Sequence, residues 1–143
     1  MVSIKIKVVR VHDEAHLPKY AHKGDAAFDL FSTESVVFQP GIAHSVPTGI
    51  KLEIPDGYAG LIWDKSGLAI KHGLKVLGGV IDSGYRGEIM VGITNVTNKE
   101  YSLKAGEKIA QMIIQKVEQG VIEEVHELSD TMRGEGGFGS TGK

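Results

Sequence analysis

Several short segments of this 143-residue chain carry side chains that could do chemistry. The densest reads Gly79-Val80-Ile81-Asp82-Ser83-Gly84-Tyr85-Arg86-Gly87-Glu88: an apolar run that ends in a carboxylate, turns on glycine and re-enters a strand. Read as a hairpin, it leaves backbone groups near the turn free to recognise the edge of a planar ring, and sets Asp82 where it can take a proton from water. The same spacing fits a plain hairpin whose Asp82 bonds its own turn. A second segment, Lys65-Ser66-Gly67-Leu68-Ala69, sets a hydroxyl beside a cation at the start of a predicted helix. Backbone N–H groups and the helix dipole there suit an anion, and a capped surface helix is the plainer alternative. In Gly106-Glu107-Lys108-Ile109-Ala110-Gln111 a glutamine stands inside an apolar strand. A buried amide left unpaired costs about 1–3 kcal/mol, so Gln111 needs a phosphate, a metal-bound water or a neighbouring strand.

Two further segments complete the set. In Gly24-Asp25-Ala26-Ala27-Phe28-Asp29-Leu30 the carboxylate of Asp29 lies between two large apolar residues, so it is expected to be partly buried and paired. The C-terminal stretch Arg133-Gly-Glu-Gly-Gly-Phe138-Gly139-Ser140-Thr141-Gly-Lys has one aromatic ring among glycines and several phosphate donors. Such an arm could close over a nucleotide, or be an inert mobile tail. His12 and His16 are spaced as on a zinc-binding helix, but Pro18 follows at once and the preceding run reads as strand, so no zinc site is expected.

The elements that position these residues read as short strands. Ile4, Ile6 and Val8, then Ile50, Leu52 and Ile54, then Ile89, Val91 and Ile93 each recur every second residue. That is the mark of a strand with one face buried. Turn residues punctuate the runs at Gln39-Pro40-Gly41, Val46-Pro47-Thr48-Gly49, Pro55-Asp56-Gly57 and Lys104-Ala105-Gly106. One short helix is predicted from Ser66 to His72, with Ser66 as its cap and Gly73 as its stop. Ile109 to Val117 is more continuously apolar and is predicted to be a strand buried on both faces. The division expected is a β-rich domain over residues 1–128 and a glycine-rich arm over 129–143.

Composition narrows the function classes. There is no cysteine, which excludes disulfides, thiolate catalysis and cysteine-based zinc sites together. A formal net charge of -2 gives no footprint for nucleic acid. The N-terminus, Met1-Val2-Ser3-Ile4-Lys5-Ile6-Lys7, has no apolar run suited to a signal peptide or a membrane span. These features together point to a cytoplasmic protein that does not engage membranes. The sequon Asn95-Val96-Thr97 reads as a chance match within a strand.

Taken in order from about Leu17 to Gly142, the five segments resemble the five motifs of the trimeric dUTP pyrophosphatase (dUTPase) family. Val46-Pro47-Thr48-Gly49-Ile50 and Ile54-Pro55-Asp56-Gly57-Tyr58 also match the family pattern. The resemblance implies an all-β fold: a jelly-roll-like β-barrel or sandwich subunit with one short helix and a flexible C-terminal arm. It implies a homotrimer whose active sites are shared, each closed by the arm of a neighbouring subunit. The implied reaction is hydrolysis of dUTP to dUMP and pyrophosphate with Mg2+ as cofactor, lowering dUTP and supplying dUMP for thymidylate synthesis. Asp82 resembles the residue that activates water for attack on the α-phosphorus. Gly79, Val80 and Ile81 would read uracil, and Tyr85 would pack on the deoxyribose. Lys65, Ser66, Gly67 and Gln111 resemble phosphate-side residues. Arg133, Phe138, Gly139, Ser140 and Thr141 match the closing arm, with Phe138 stacked on the base. Asp29 would reach the metal through water.

Two positions depart from the pattern. The second motif usually reads Pro-Arg-Ser-Gly-Leu-Ala, whereas here Asp64 and Lys65 precede Ser66. Lysine keeps the charge but loses the planar fork, and Asp64 adds a negative charge near the expected phosphates. Gly84 stands where a second aspartate is common. Two rivals share this fold, a dCTP deaminase and a nucleotide-binding protein without turnover. Ammonia release from dCTP would mark the first, and dUTP binding without hydrolysis the second.

Overall fold

Alternating apolar residues build two four-stranded sheets and a small third one, seen in a computed structural model that describes residues 3–142. In chain order the elements are β1 (Lys7–Arg10), β2 (Phe28–Phe31), β3 (Val36–Phe38), β4 (Ala43–Glu53) and β5 (Tyr58–Asp64). Then come α1 (Ser66–His72), β6 (Leu74–Leu77), β7 (Val80–Ile81), β8 (Glu88–Asn95), β9 (Tyr101–Leu103) and β10 (Lys108–Lys116). One sheet runs β1-β4-β8-β6, the other β2-β10-β5-β7, and β3 pairs with β9. Every pairing between these strands is antiparallel.

The core lies between the sheets. Ile50, Leu52, Ile89 and Val91 from one sheet join Leu30, Ile62 and Met112 from the other, with Phe38 and Leu103 from the small sheet, in one apolar cluster. Burying each such side chain contributes about 1.5–3 kcal/mol. The result is the expected all-β, jelly-roll-like subunit, a sandwich with open sheet edges rather than a closed barrel. No helix among the described residues is long and apolar enough to cross a membrane.

Five local expectations change. Val46-Pro47-Thr48-Gly49 is not a turn between strands but an irregularity inside β4, where the register with β8 shifts between Pro47 and Lys51. Thr48 Oγ1 donates to the Ile89 carbonyl at 2.6 Å and the Gly49 N–H donates to Glu88 Oε2 at 3.0 Å, so the bulged backbone stays satisfied and the strand continues. The segment from Gly79 to Glu88 makes a turn, with the Tyr85 N–H on the Asp82 carbonyl at 3.1 Å, but it is not a paired hairpin. Instead β7 pairs with β5 and β8 with β4 and β6, so the segment crosses from one sheet to the other. Ser66 is the first helical residue and does not cap α1; Lys65 holds the cap position with extended backbone and no side-chain cap bond. β10 is enclosed on both faces only in its middle, since Lys108, Gln115 and Lys116 are exposed. The alternation at Ile4 and Ile6 lies ahead of β1, which begins at Lys7.

Two other local expectations hold, at the sequon and at the end of α1. The sequon cannot present its amide, because Asn95 is fully buried and its Nδ2 donates to the carbonyls of Phe38 and Lys99. The last strand ends at Lys116, and 117–142 has neither helix nor strand. Gly73 closes α1 at φ 65, its N–H on the Ala69 carbonyl at 2.9 Å. A side chain there would meet both the left-handed backbone and the Thr97 methyl. Gly73→Ala is expected to lower stability by about 1 kcal/mol or more, read from urea unfolding midpoints at constant m.

Candidate active site

Cross-strand register sets the first row of the site. Gln111 on β10 faces Asp29 on β2 and Trp63 on β5. Directly paired residues share a sheet face, so the three form one row with the amide in the middle. All three line a cleft of about 650 Å³ together with Asp64, Lys65 and Ser66. The end of β5 passes straight into Lys65 and α1, which delivers the cation and the hydroxyl to the row's edge.

Asp29 is the electrostatic centre of this cleft. It is 3% exposed, inside a strand whose other residues are all buried. Lys65 Nζ donates to its Oδ1 at 2.6 Å. Lys108 Nζ lies 3.1 Å from Oδ2, an ion-pair distance without hydrogen-bond alignment. Burial pushes the Asp29 carboxyl up, but the two ammonium groups outweigh it and hold the carboxyl below its ordinary value. Two cations against one carboxylate give this cluster one net positive charge, while Asp25 and Asp64 also line the cleft. Gln111 Nε2 donates to the Asp64 carbonyl at 2.8 Å, so the neighbouring strand satisfies the amide.

The other expected residues lie elsewhere. Gly67 borders a smaller cleft with Lys65 and Lys108. Gly79 and Val80 line a third cleft beyond Trp63. A Cβ on Gly79 would come within 2.8 Å of the Ile62 carbonyl, so only glycine lets the backbone pass so close to β5. Ile81, Asp82 and Tyr85 line none of these clefts. Asp82 is exposed, and the Tyr85 hydroxyl donates to the Glu88 carbonyl at 3.0 Å. Arg133 Nε donates to the Gly136 carbonyl at 2.6 Å, and Phe138 stands fully exposed at φ 47. Gly139, Ser140 and Thr141 are exposed beside it.

The family model for dUTPase matches residues 13–142. The chain belongs to the dUTPase family. Hydrolysis of dUTP is the activity that membership carries. A deoxyuridine 5'-triphosphate nucleotidohydrolase of Clostridium kluyveri is 50% identical over 141 residues, covering 97% of this chain and 99% of its own. One of Thermobifida fusca is 48% identical over 98% of this chain and 80% of its own. Among solved structures, a mutant dUTPase of Staphylococcus bacteriophage 80alpha with dUpNHpp superposes with a TM-score of 0.92 at 30% identity. That alignment covers 99% of this chain and 100% of the phage chain. A mutant dUTPase of phage phi11, described with a structural Mg(II) ion, gives a TM-score of 0.80 at 27% identity, over 87% of this chain and 98% of its own.

Reading dUTPase motifs along the sequence leaves out two residues that the structure adds, Trp63 in the cleft wall and Lys108 against Asp29. Strand parity works against finding Lys108, which is three residues from Gln111 and so should face the opposite way. A bulge between Lys108 and Ala110 reverses that parity and turns Lys108 toward Asp29. Among the described residues no group of three or more His, Asp or Glu side chains could hold a metal, His12 and His16 included. Asp29 is already engaged by two cations, so direct coordination does not fit, whereas a metal carried by phosphates and water-bridged to the cleft does.

The depressed Asp29 carboxyl contributes stability that is present above about pH 4 and lost as pH falls through its folded value. Asp29→Asn is expected to lower stability at pH 7 by about 1–3 kcal/mol. It is also expected to flatten the loss of stability below pH 4, read from thermal melts across pH.

Proposed function

We propose that the chain hydrolyses dUTP to dUMP and pyrophosphate as a homotrimer with shared active sites, lowering dUTP and supplying dUMP for thymidylate synthesis. The observation that carries this reading is the Asp29–Lys65–Lys108 cluster, which holds one net positive charge beside a cleft that also collects Ser66 and Gln111, in a chain that matches the family over residues 13–142. Lys65 and Lys108 would draw in the triphosphate, Ser66 and the free N–H groups of the first turn of α1 would hold its oxygens, and Gln111 would face them. Asp82 would accept a proton from the attacking water, which forms its bond to the α-phosphorus as pyrophosphate departs. Its side chain is exposed to solvent.

Asp82 and Tyr85 border no part of the cleft, which is why a complete site would need more than one copy. Apolar side chains left in solvent support assembly: Trp63, Ile70 and Val80 near the clefts, and Val121, Ile122 and Leu128 ahead of the arm. In the trimer the backbone of Gly79, Val80 and Ile81 would read uracil, Tyr85 would pack on the deoxyribose, and the arm would lay Phe138 over the base. Arg133, Gly139, Ser140 and Thr141 would then meet phosphate. When bound, magnesium neutralises charge on the phosphates, and Asp29 would reach it only through water.

Pyrophosphate release from dUTP, with dCTP, dTTP and UTP as controls, tests the activity. Release from dUTP alone is the expected result, and ammonia from dCTP would replace the reading with a deaminase. Asp82→Asn is expected to lower turnover by about 100-fold or more with nucleotide affinity nearly unchanged. Sedimentation of the whole chain tests the trimer.

A further inference from the structure

Asp64 occupies a junction that the reaction scheme leaves unexplained. It ends β5, directly before Lys65 and Ser66, and it lines the main cleft. A carboxylate in that wall would repel phosphate. Its side chain instead turns toward β6, a strand of the opposite sheet. Oδ1 accepts the Val76 N–H at 2.7 Å, and Lys75 Nζ donates to Oδ2 at 3.1 Å. The Asp64 backbone carbonyl takes the Gln111 Nε2 donor at 2.8 Å. One residue thus ties β5, β6 and β10 together at the edge of the cleft.

We propose that Asp64 and Lys75 form a charge-compensated clamp that positions the phosphate-side residues Lys65, Ser66 and Gln111. Asp64 acts as a positioning residue and Lys75 as the cation that masks it. The clamp rests on the proposed dUTP hydrolysis, because its purpose is to hold a polyanion site open to substrate. Two separable effects follow. The hydrogen bond to Val76 fixes the end of β5, which sets the direction of Lys65 and the carbonyl that orients the Gln111 amide. The ion pair with Lys75 cancels a negative charge that would otherwise compete with the substrate for Lys65.

The test uses the full chain, with KM and kcat for dUTP measured at low and high salt. Lys75 is half exposed in its side chain, so its replacement leaves the fold intact. Lys75→Met unmasks the carboxylate, and KM is expected to rise about 10-fold at low salt, with less effect at high salt and kcat within about twofold. Asp64→Asn in the same chain removes the unmasked charge and keeps an oxygen for Val76, so the double variant is expected to return KM to near the wild-type value. Asp64→Ala loses both functions, and kcat is expected to fall along with affinity. Thermal melts of each variant separate unfolding from misplacement. A double variant as weak as Lys75→Met, or a salt-independent KM, overturns the clamp while the activity stands. Wild-type chain that releases no pyrophosphate from dUTP overturns the activity itself, and the clamp loses its purpose with it.

Discussion

A carboxylate buried in a strand between two phenylalanines and a leucine must find cations, and the cleft is built around that requirement. Asp29 has its neighbours Phe28, Leu30 and Phe31 all turned into packed surroundings. Left alone it would stay protonated or destabilise β2. Lys65 reaches it from the end of β5 and Lys108 from the start of β10, so its pairing requires β2, β10 and β5 to lie side by side in that order. Once they do, Gln111 falls between Asp29 and Trp63 by register alone. In the proposed site, the cations that would meet a triphosphate are thus already gathered around Asp29. That arrangement avoids reorganising charged groups during the reaction.

The same arrangement explains the division of labour along the chain. Gln111 lies inside β10, and Lys65 and Ser66 stand where β5 of the same sheet passes into α1. The segment with Asp82 and Tyr85 bridges to the other sheet, and its side chains face solvent. The arm keeps its hydrogen bonds local, as between Arg133 and Gly136, and leaves Phe138 in solvent. Exposed apolar groups of this size have a cost in a lone copy that packing against other copies removes. In the proposed trimer, sheet and helix would supply the phosphate side, and segments outside strands would supply the groups over the base.

Much of the fold was legible in the residues. Period-two alternation located β4 and β8 and their buried faces, because side-chain direction along a strand is a local property. Gly73 marked the end of α1 for the equally local reason that a left-handed residue favours glycine. The expectation that Asp29 needs a partner also came from local burial. The misreadings were of another kind. Val46-Pro47-Thr48-Gly49 carries turn chemistry, yet Thr48 and Glu88 satisfy its backbone across β8 and keep it inside a strand. The segment at Asp82 looks like a hairpin, yet β7 found β5 as its partner.

By itself, then, the sequence determined the all-β class, the buried faces, the one short helix and the ordered motifs that mark the dUTPase family. Those depend on residue type and spacing within a few positions. Tertiary structure alone decided which strands pair, that a bulge turns Lys108 toward Asp29, and that Asp64 faces β6 rather than the cleft's centre. It also decided that Asp82 and the cleft stand apart within one copy. Each of these depends on a partner far along the chain, and hydrogen-bond register between distant strands leaves no mark in the local pattern of either one.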